Sequence, residues 1–308
     1  MLPSDVYRQP HAADPILDER RVLDLVRRHG VRGAAVTDID ETGGEARAYM
    51  LDETLVLKVQ RPHRLRHRTS LAKEAFFLQQ LAAYPDIVVP QVLGHGQDDD
   101  IEYLVLTRMP GIPARTVTMT DAQRVTVLQQ LGRTLRRLHT LPQAPFAGSP
   151  LLPGHRTRLA FVEQVETNLA QAVEVLETTA TLWPFAMAPG ALASQLLAEL
   201  PDAIDLVALH SNPGPEHTFV HPETLAFVGL IDFGDAYIGH PALDWRWPTH
   251  ADRLALLQGY RHDTPVTEAF LVAWHALLGL SDLVTLATRP ASRAQTLERL
   301  GALLVTLS

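Results

Sequence analysis

Apolar positions in "PILDERRVLDLVRRH" (15–29) recur at three- and four-residue spacing, and Gly30 follows as a stop, so a helix is predicted there. The pattern then shifts towards alternation, and "GAAVTDID", "EARAYML" and "TLVLKVQ" read as strands. "TSLAKEAFFLQQLAAY" (69–84) returns to helical spacing, capped by Thr69 or Ser70 with Glu74 a few positions on. "VVPQVLGHG" and "EYLVLTRM" are two more strands, separated by the turn-like "GQDDD". The first third of the chain is therefore expected to be a mostly antiparallel sheet with one inserted helix.

After "MPGIPA" (109–114) the character changes. Residues 121–141 form a long amphipathic pattern, and the Pro/Gly-rich stretch from Pro142 to Gly154 reads as a surface loop. Residues 157–200 are largely helical in pattern, with breaks near Pro184 and Pro189, and 251–308 are helical again. Between them, "DLVAL", "HTFVH" and "FVGLID" are short strands around a polar segment, 207–245. The class is α+β, with no internal repeat and no low-complexity tract.

Composition narrows the field. The 308 residues suffice for one large domain or two lobes, and 46% apolar with 20% charged residues is ordinary for a globular protein. Without cysteine there is no disulfide and no thiolate metal site. The N-terminus "MLPSDVYRQPHAADPILDER" lacks a basic-then-apolar signal pattern, and no apolar run is read as a membrane span, so a cytoplasmic location is expected. A formal charge of −8 argues against a nucleic-acid partner, although "RPHRLRHR" (61–68) is locally basic; that stretch reads as a solvated face. Of 27 basic residues only Lys58 and Lys73 are lysines. Lys58 ends an apolar strand pattern, where an ammonium needs a partner.

The polar segment carries the chemistry. It reads "HSN" (210–212), "PGPE", His217, "IDFGD" (231–235) and "GHPALD" (239–244). This ordered string resembles the aminoglycoside phosphotransferase family and, more broadly, the protein-kinase-like fold shared with choline and homoserine kinases. The resemblance implies a bilobal molecule. Residues 1–108 would be an N-terminal nucleotide-binding lobe, and 109–308 a larger, mainly helical C-terminal lobe with the catalytic loop and acceptor site. It implies ATP or GTP as co-substrate, Mg²⁺, and a small-molecule hydroxyl as acceptor, most simply on an aminoglycoside or antibiotic-like amino sugar.

By the same resemblance Asp232, leading "DFG", would ligate Mg²⁺, a hard cation suited to carboxylate oxygen. His217 fills a slot where most members carry Asn; imidazole is a weaker match for Mg²⁺, and it would ligate the ion or hold a water of its shell. His210 would pack under the catalytic loop, and Asp244 would anchor that loop through backbone amides. Lys58 would grip nucleotide phosphates and pair with Glu74, which the bland alternative makes a solvated helix charge. Gly43 and Gly44 in "ETGGEA" would let amides approach phosphates, or simply turn a hairpin. Thr107 and Met109 in "LTRMPG" would form the hinge that reads the base edge. Trp245 and Trp247 are expected in the core.

Asn212 departs from the pattern, since the family places there an aspartate that takes the acceptor's proton. An amide cannot accept a proton near neutral pH. Asn212 is either a replacement in an otherwise working kinase or the mark of a natural pseudokinase, and the letters leave both open. Glu216, four residues on, is a candidate substitute base. Transfer to Ser or Thr of a peptide is a third reading.

Overall fold

The computed structural model describes residues 7–67, 69–99 and 101–307. The start of the N-terminal stretch quoted above, Arg68 of "RPHRLRHR" and Asp100 of "GQDDD" lie outside the described residues. The chain begins with α1 (Glu19–Arg27), β1 (Val36–Asp40), β2 (Ala46–Leu51), β3 (Leu55–Gln60), α2 (Leu71–Leu81), β4 (Val92–Asp98) and β5 (Ile101–Thr107). The five strands form one antiparallel sheet in the order β1-β2-β3-β5-β4. Helix α1 starts later than the apolar spacing suggested, because Asp18 caps it by accepting from Arg21 N–H.

Strand alternation fixes what each face of this sheet does. Leu55, Leu57 and Val59 of β3 and Tyr103 and Val105 of β5 join α1 through Val22, Leu25 and Val26 in one buried cluster. Their neighbours in the period of two, Lys58 and Leu104, therefore face the other way, towards α2 and the rest of the chain.

The remainder comprises β6 (Ile112–Pro113), α3 (Asp121–His139), α4 (Ala144–Ala147), α5 (Arg158–Thr178), α6 (Pro189–Ala198), β7 (Val207–Leu209), β8 (Thr218–Val220), β9 (Phe227–Leu230), β10 (Tyr237–Gly239), α7 (His250–Tyr260), α8 (Glu268–Thr288) and α9 (Arg293–Leu307). Two small sheets, β10-β7 and β6-β8-β9, frame the polar segment. Pro189 opens α6 at its first position rather than breaking a helix, since its missing N–H has no intrahelical partner there anyway. The stretch expected as loop holds α4. One expectation is corrected: α8, with mean hydropathy 1.7, is long and apolar enough to cross a membrane. Here it packs against α5, α6 and α9 and buries Asp282 in an ion pair, the pattern of a core helix.

Helices α3 and α7 approach with almost no side chain between them. A Cβ on Gly259 would stand 2.0 Å from the Gln129 carbonyl oxygen, and one on Gly132 would stand 2.2 Å from that of Leu256. Only glycine fits without a backbone shift. Gly259→Ala is expected to lower stability by about 1–3 kcal/mol, the usual scale of overpacking, read as a lower Tm. This crossing matters to the site because His139 ends α3 and Tyr260 ends α7, and the two side chains meet at 3.1 Å.

Candidate active site

Lys58 reaches two carboxylates at once. Its Nζ lies 2.6 Å from Glu74 Oε2 and 2.9 Å from Asp232 Oδ1. Glu74 sits in the first turn of α2, whose cap is Ser70, and is buried. Burial pushes its carboxyl pKa up, against the pull of Lys58. Burial alone would lower the Lys58 pKa, but the charges of Asp232 and Glu74 outweigh it and hold the ammonium above its ordinary range. Asp232 moves oppositely: burial would raise it, and Lys58, then His217, hold it below the usual carboxylate range. Asp232 keeps 40% of its side chain exposed, so water screens these attractions.

Asp232 follows β9 at φ +69°, a left-handed conformation that Asp tolerates better than most residues. Its Oδ2 faces His217 Nε2 at 3.2 Å. His217 Nδ1 lies 2.8 Å from the Asn212 carbonyl oxygen, which can only accept, so Nδ1 carries a proton. Nε2 is thus the ring nitrogen turned towards the Asp232 carboxylate.

The loop carrying Asn212 is fixed from below. Asp244, fully buried, accepts from His210 N–H at 3.0 Å and Ser211 N–H at 2.7 Å. His139 Nε2 bonds the same carboxylate at 3.0 Å. The His210 ring donates from Nε2 to the Ile231 carbonyl at 2.9 Å and accepts from Asn212 N–H at Nδ1, 3.3 Å. Acceptance at Nδ1 requires the neutral ring, and burial lowers its pKa to about 4. Phe233 packs on His210 with ring centroids 4.3 Å apart. Trp247 Nε1 donates to the Pro213 carbonyl at 3.0 Å, and Trp245 is buried, as expected of core residues.

Asn212 itself uses its backbone groups in this net, while its carboxamide has no hydrogen-bond partner among the described residues. Glu216 is close by: a Cβ on Gly214 would lie 3.2 Å from Glu216 Oε2 and 3.6 Å from Asn212 Oδ1. Ser211 stands at φ +84°. A side chain there is strained, so Ser211→Gly is expected to stabilise the protein by about 1 kcal/mol, measurable by denaturant midpoint.

The other sequence-selected positions are more peripheral. Gly43 and Gly44 lie in the β1–β2 turn; a Cβ on Gly43 would meet only the Ala46 carbonyl, and one on Gly44 would meet nothing within 4 Å. Thr107 N–H bonds the Gln91 carbonyl, and its hydroxyl accepts from Gln91 N–H. Arg108 N–H is likewise bonded, to Thr54. Met109 has no backbone hydrogen bond among the described residues, so of these three N–H groups its own alone is free for a base.

"RPHRLRHR" is not simply a solvated face. Leu65 is buried, and Arg66 ion-pairs with Glu45 and, at 3.2 Å, with Asp235. The Thr69 hydroxyl also bonds Asp235. This strap joins the β1–β2 hairpin to the segment after Asp232. Sequence reasoning missed it, as it missed His139, although "IDFGD" already contained Asp235.

The phosphotransferase enzyme family profile matches residues 41–278, which include every site residue named above. The chain belongs to the phosphotransferase enzyme family. An aminoglycoside 3'-phosphotransferase of Streptomyces fradiae is 30% identical over 152 residues, covering 48% of this chain and 52% of the relative. The chain thus spans about half the length of that relative in the match. Among solved structures, the macrolide 2'-phosphotransferase MphH of Brachybacterium faecium superposes with a TM-score of 0.61 at 21% identity, over 92% of this chain and 97% of that one. The GDP complex of aminoglycoside 2'-phosphotransferase-IIIa gives 0.62 at 16% identity, over 94% and 98%. These identities carry the fold, which places this phosphotransferase-family chain among protein-kinase-like structures.

Proposed function

We propose that the protein transfers the terminal phosphate of ATP or GTP to a hydroxyl of a small molecule, an aminoglycoside or another antibiotic-like amino sugar, in the cytoplasm. The observation that carries this reading is the convergence of two carboxylates, Glu74 and Asp232, on the Lys58 ammonium beside the Asn212 loop. Phosphoryl transfer asks a protein chiefly to position groups and offset charge. Lys58, oriented by Glu74, would hold phosphate oxygens.

Asp232 and His217 fit a divalent cation as a pair, one oxygen and one imidazole nitrogen directed at each other. No group of three His, Asp or Glu suited to a metal occurs among the described residues, so phosphate and water would complete the shell. Mg²⁺ bound there would neutralise charge between the phosphates. Asn212 would orient the acceptor hydroxyl without taking its proton, so this chain would turn over slowly.

Nucleotide binding tests the reading. At a hundredfold excess over Kd, a Mg²⁺–nucleotide stabilises its binding protein by about 2.7 kcal/mol. A rise in Tm with Mg–ATP or Mg–GTP, abolished by Lys58→Met, is expected; no shift with either counts against the proposal. The second reading, a binding module without transfer, draws on Asn212 alone, and Glu216 beside it weakens that reading.

A further inference from the structure

Beside the catalytic loop lies a cavity of about 150 Å³ whose charge is unusual for a chain of formal charge −8. Four guanidinium groups line it, those of Arg246, Arg253, Arg289 and Arg299, against one carboxylate, Asp282. Asp282 is shared: it receives Arg253 Nη1 at 2.6 Å and Nη2 at 3.0 Å, and Arg299 Nη2 at 2.7 Å. All three side chains are buried, so one positive charge of this triad has no counter-ion within it. Burial lowers the Arg253 pKa, Asp282 opposes, and Arg299 and Arg246 lower it again, as positive charge in excess requires.

A purely structural Arg–Asp–Arg triad would end there. This one opens towards Arg246 and Gln295, both exposed. Arg246 donates from Nε to the Ser211 carbonyl at 3.0 Å, the residue before Asn212, and its terminal nitrogens have no partner among the described residues. Gln295 borders the cavity from the first turn of α9 and Ser292 from the turn just before it, and the positive dipole end of that helix adds to the field. A second cavity of about 20 Å³ between Arg253 and Trp274 has room for about one water, next to the unpartnered Arg253 Nε and Trp274 Nε1. The larger cavity is of another kind, wide enough for an oxyanion and cationic at its walls and rim.

We propose that this cavity is an anchoring subsite for the acceptor and takes an oxyanion, a carboxylate or a phosphate monoester, borne by the molecule whose hydroxyl reaches Asn212. The assignment rests on the phosphotransfer reading and narrows it: within the proposed amino-sugar class it selects an acceptor that also bears an anionic group, for which the Arg246 guanidinium at the rim and the excess charge of the buried triad supply the counter-charge. Guanidinium forks match the planar or tetrahedral oxygens of such groups.

The test is isothermal titration of the full chain with inorganic phosphate, at constant ionic strength set by chloride and with Mg–ADP saturating so that the Lys58 cleft is filled. One saturable phosphate site is expected. It should weaken about tenfold or more in Arg246→Gln and in Gln295→Glu, which adds a carboxylate at the rim. Glucose 6-phosphate separates the sources: it displaces inorganic phosphate if the subsite serves an acceptor, whereas kanamycin does not. Absence of a phosphate site, or a site indifferent to both substitutions, overturns the proposal. A phosphate site that excludes glucose 6-phosphate, or that kanamycin competes for, overturns the acceptor assignment. Thermal shift with Mg–nucleotide is read separately. Its failure, with phosphate still bound by the chain alone, refutes phosphotransfer and leaves the anion site standing.

Discussion

Asn212→Asp is expected to raise nucleotide-dependent turnover by about 10²–10⁴-fold, the usual range for one positioned general base. The expectation is specific because everything that would orient the new carboxylate is already built. Asp244 holds the amides of His210 and Ser211, His210 holds Asn212 N–H, and His217 holds its carbonyl. The substituted side chain has the same shape and enters a position without competing hydrogen bonds among the described residues. The gain should appear in kcat, with nucleotide affinity little changed, since a base acts on the acceptor's proton and not on the phosphates. Coupled-assay turnover on hydroxylated acceptors measures it. Equal rates for the two chains would mean that Glu216, close to the same point, already supplies the base, and Glu216→Gln in the parent chain would then remove activity.

Asp232→Asn should have the opposite effect. In the Asn212→Asp background it is expected to lower turnover by about 10²–10³-fold or more, the scale of losing one preorganised electrostatic group. Two things disappear with that carboxylate: the hard oxygen that faces His217, and the second partner of Lys58. Folding should survive, because Lys58 keeps Glu74 at 2.6 Å and the partly exposed Asp232 is not among the core residues. The distinguishing measurement is the Mg²⁺ dependence of the nucleotide-induced Tm shift, which should flatten. A variant that binds Mg–nucleotide as the parent does would remove Asp232 from the cation site.

Much of this arrangement was legible in the letters because it is local. Alternation along "TLVLKV" assigns Lys58 to the face opposite Leu57, and the structure places α1 on one side and Glu74 on the other. "IDFGD" and "HSN" each lie within a few residues of a strand end, where short-range geometry aims the side chains. What stayed hidden depends on groups brought together from distant segments. His139 meets Asp244 across 105 positions, and Arg66 meets Asp235 across 169. No periodicity marks an isolated His at a helix end, and a run of arginines has the same letters whether solvated or buried in an ion pair. Which of Thr107, Arg108 and Met109 keeps a free N–H was not legible, because it is decided by Gln91 and Thr54 and not by the residues themselves.

On the proposed reading, the contact between Lys58 and Asp232 would make nucleotide capture an exchange: a triphosphate would meet an ammonium already engaged by a carboxylate and would have to displace it. Binding would then be tightest when phosphate and a divalent cation come together as one neutralising unit, since phosphate alone would face Asp232 and a cation alone would face Lys58.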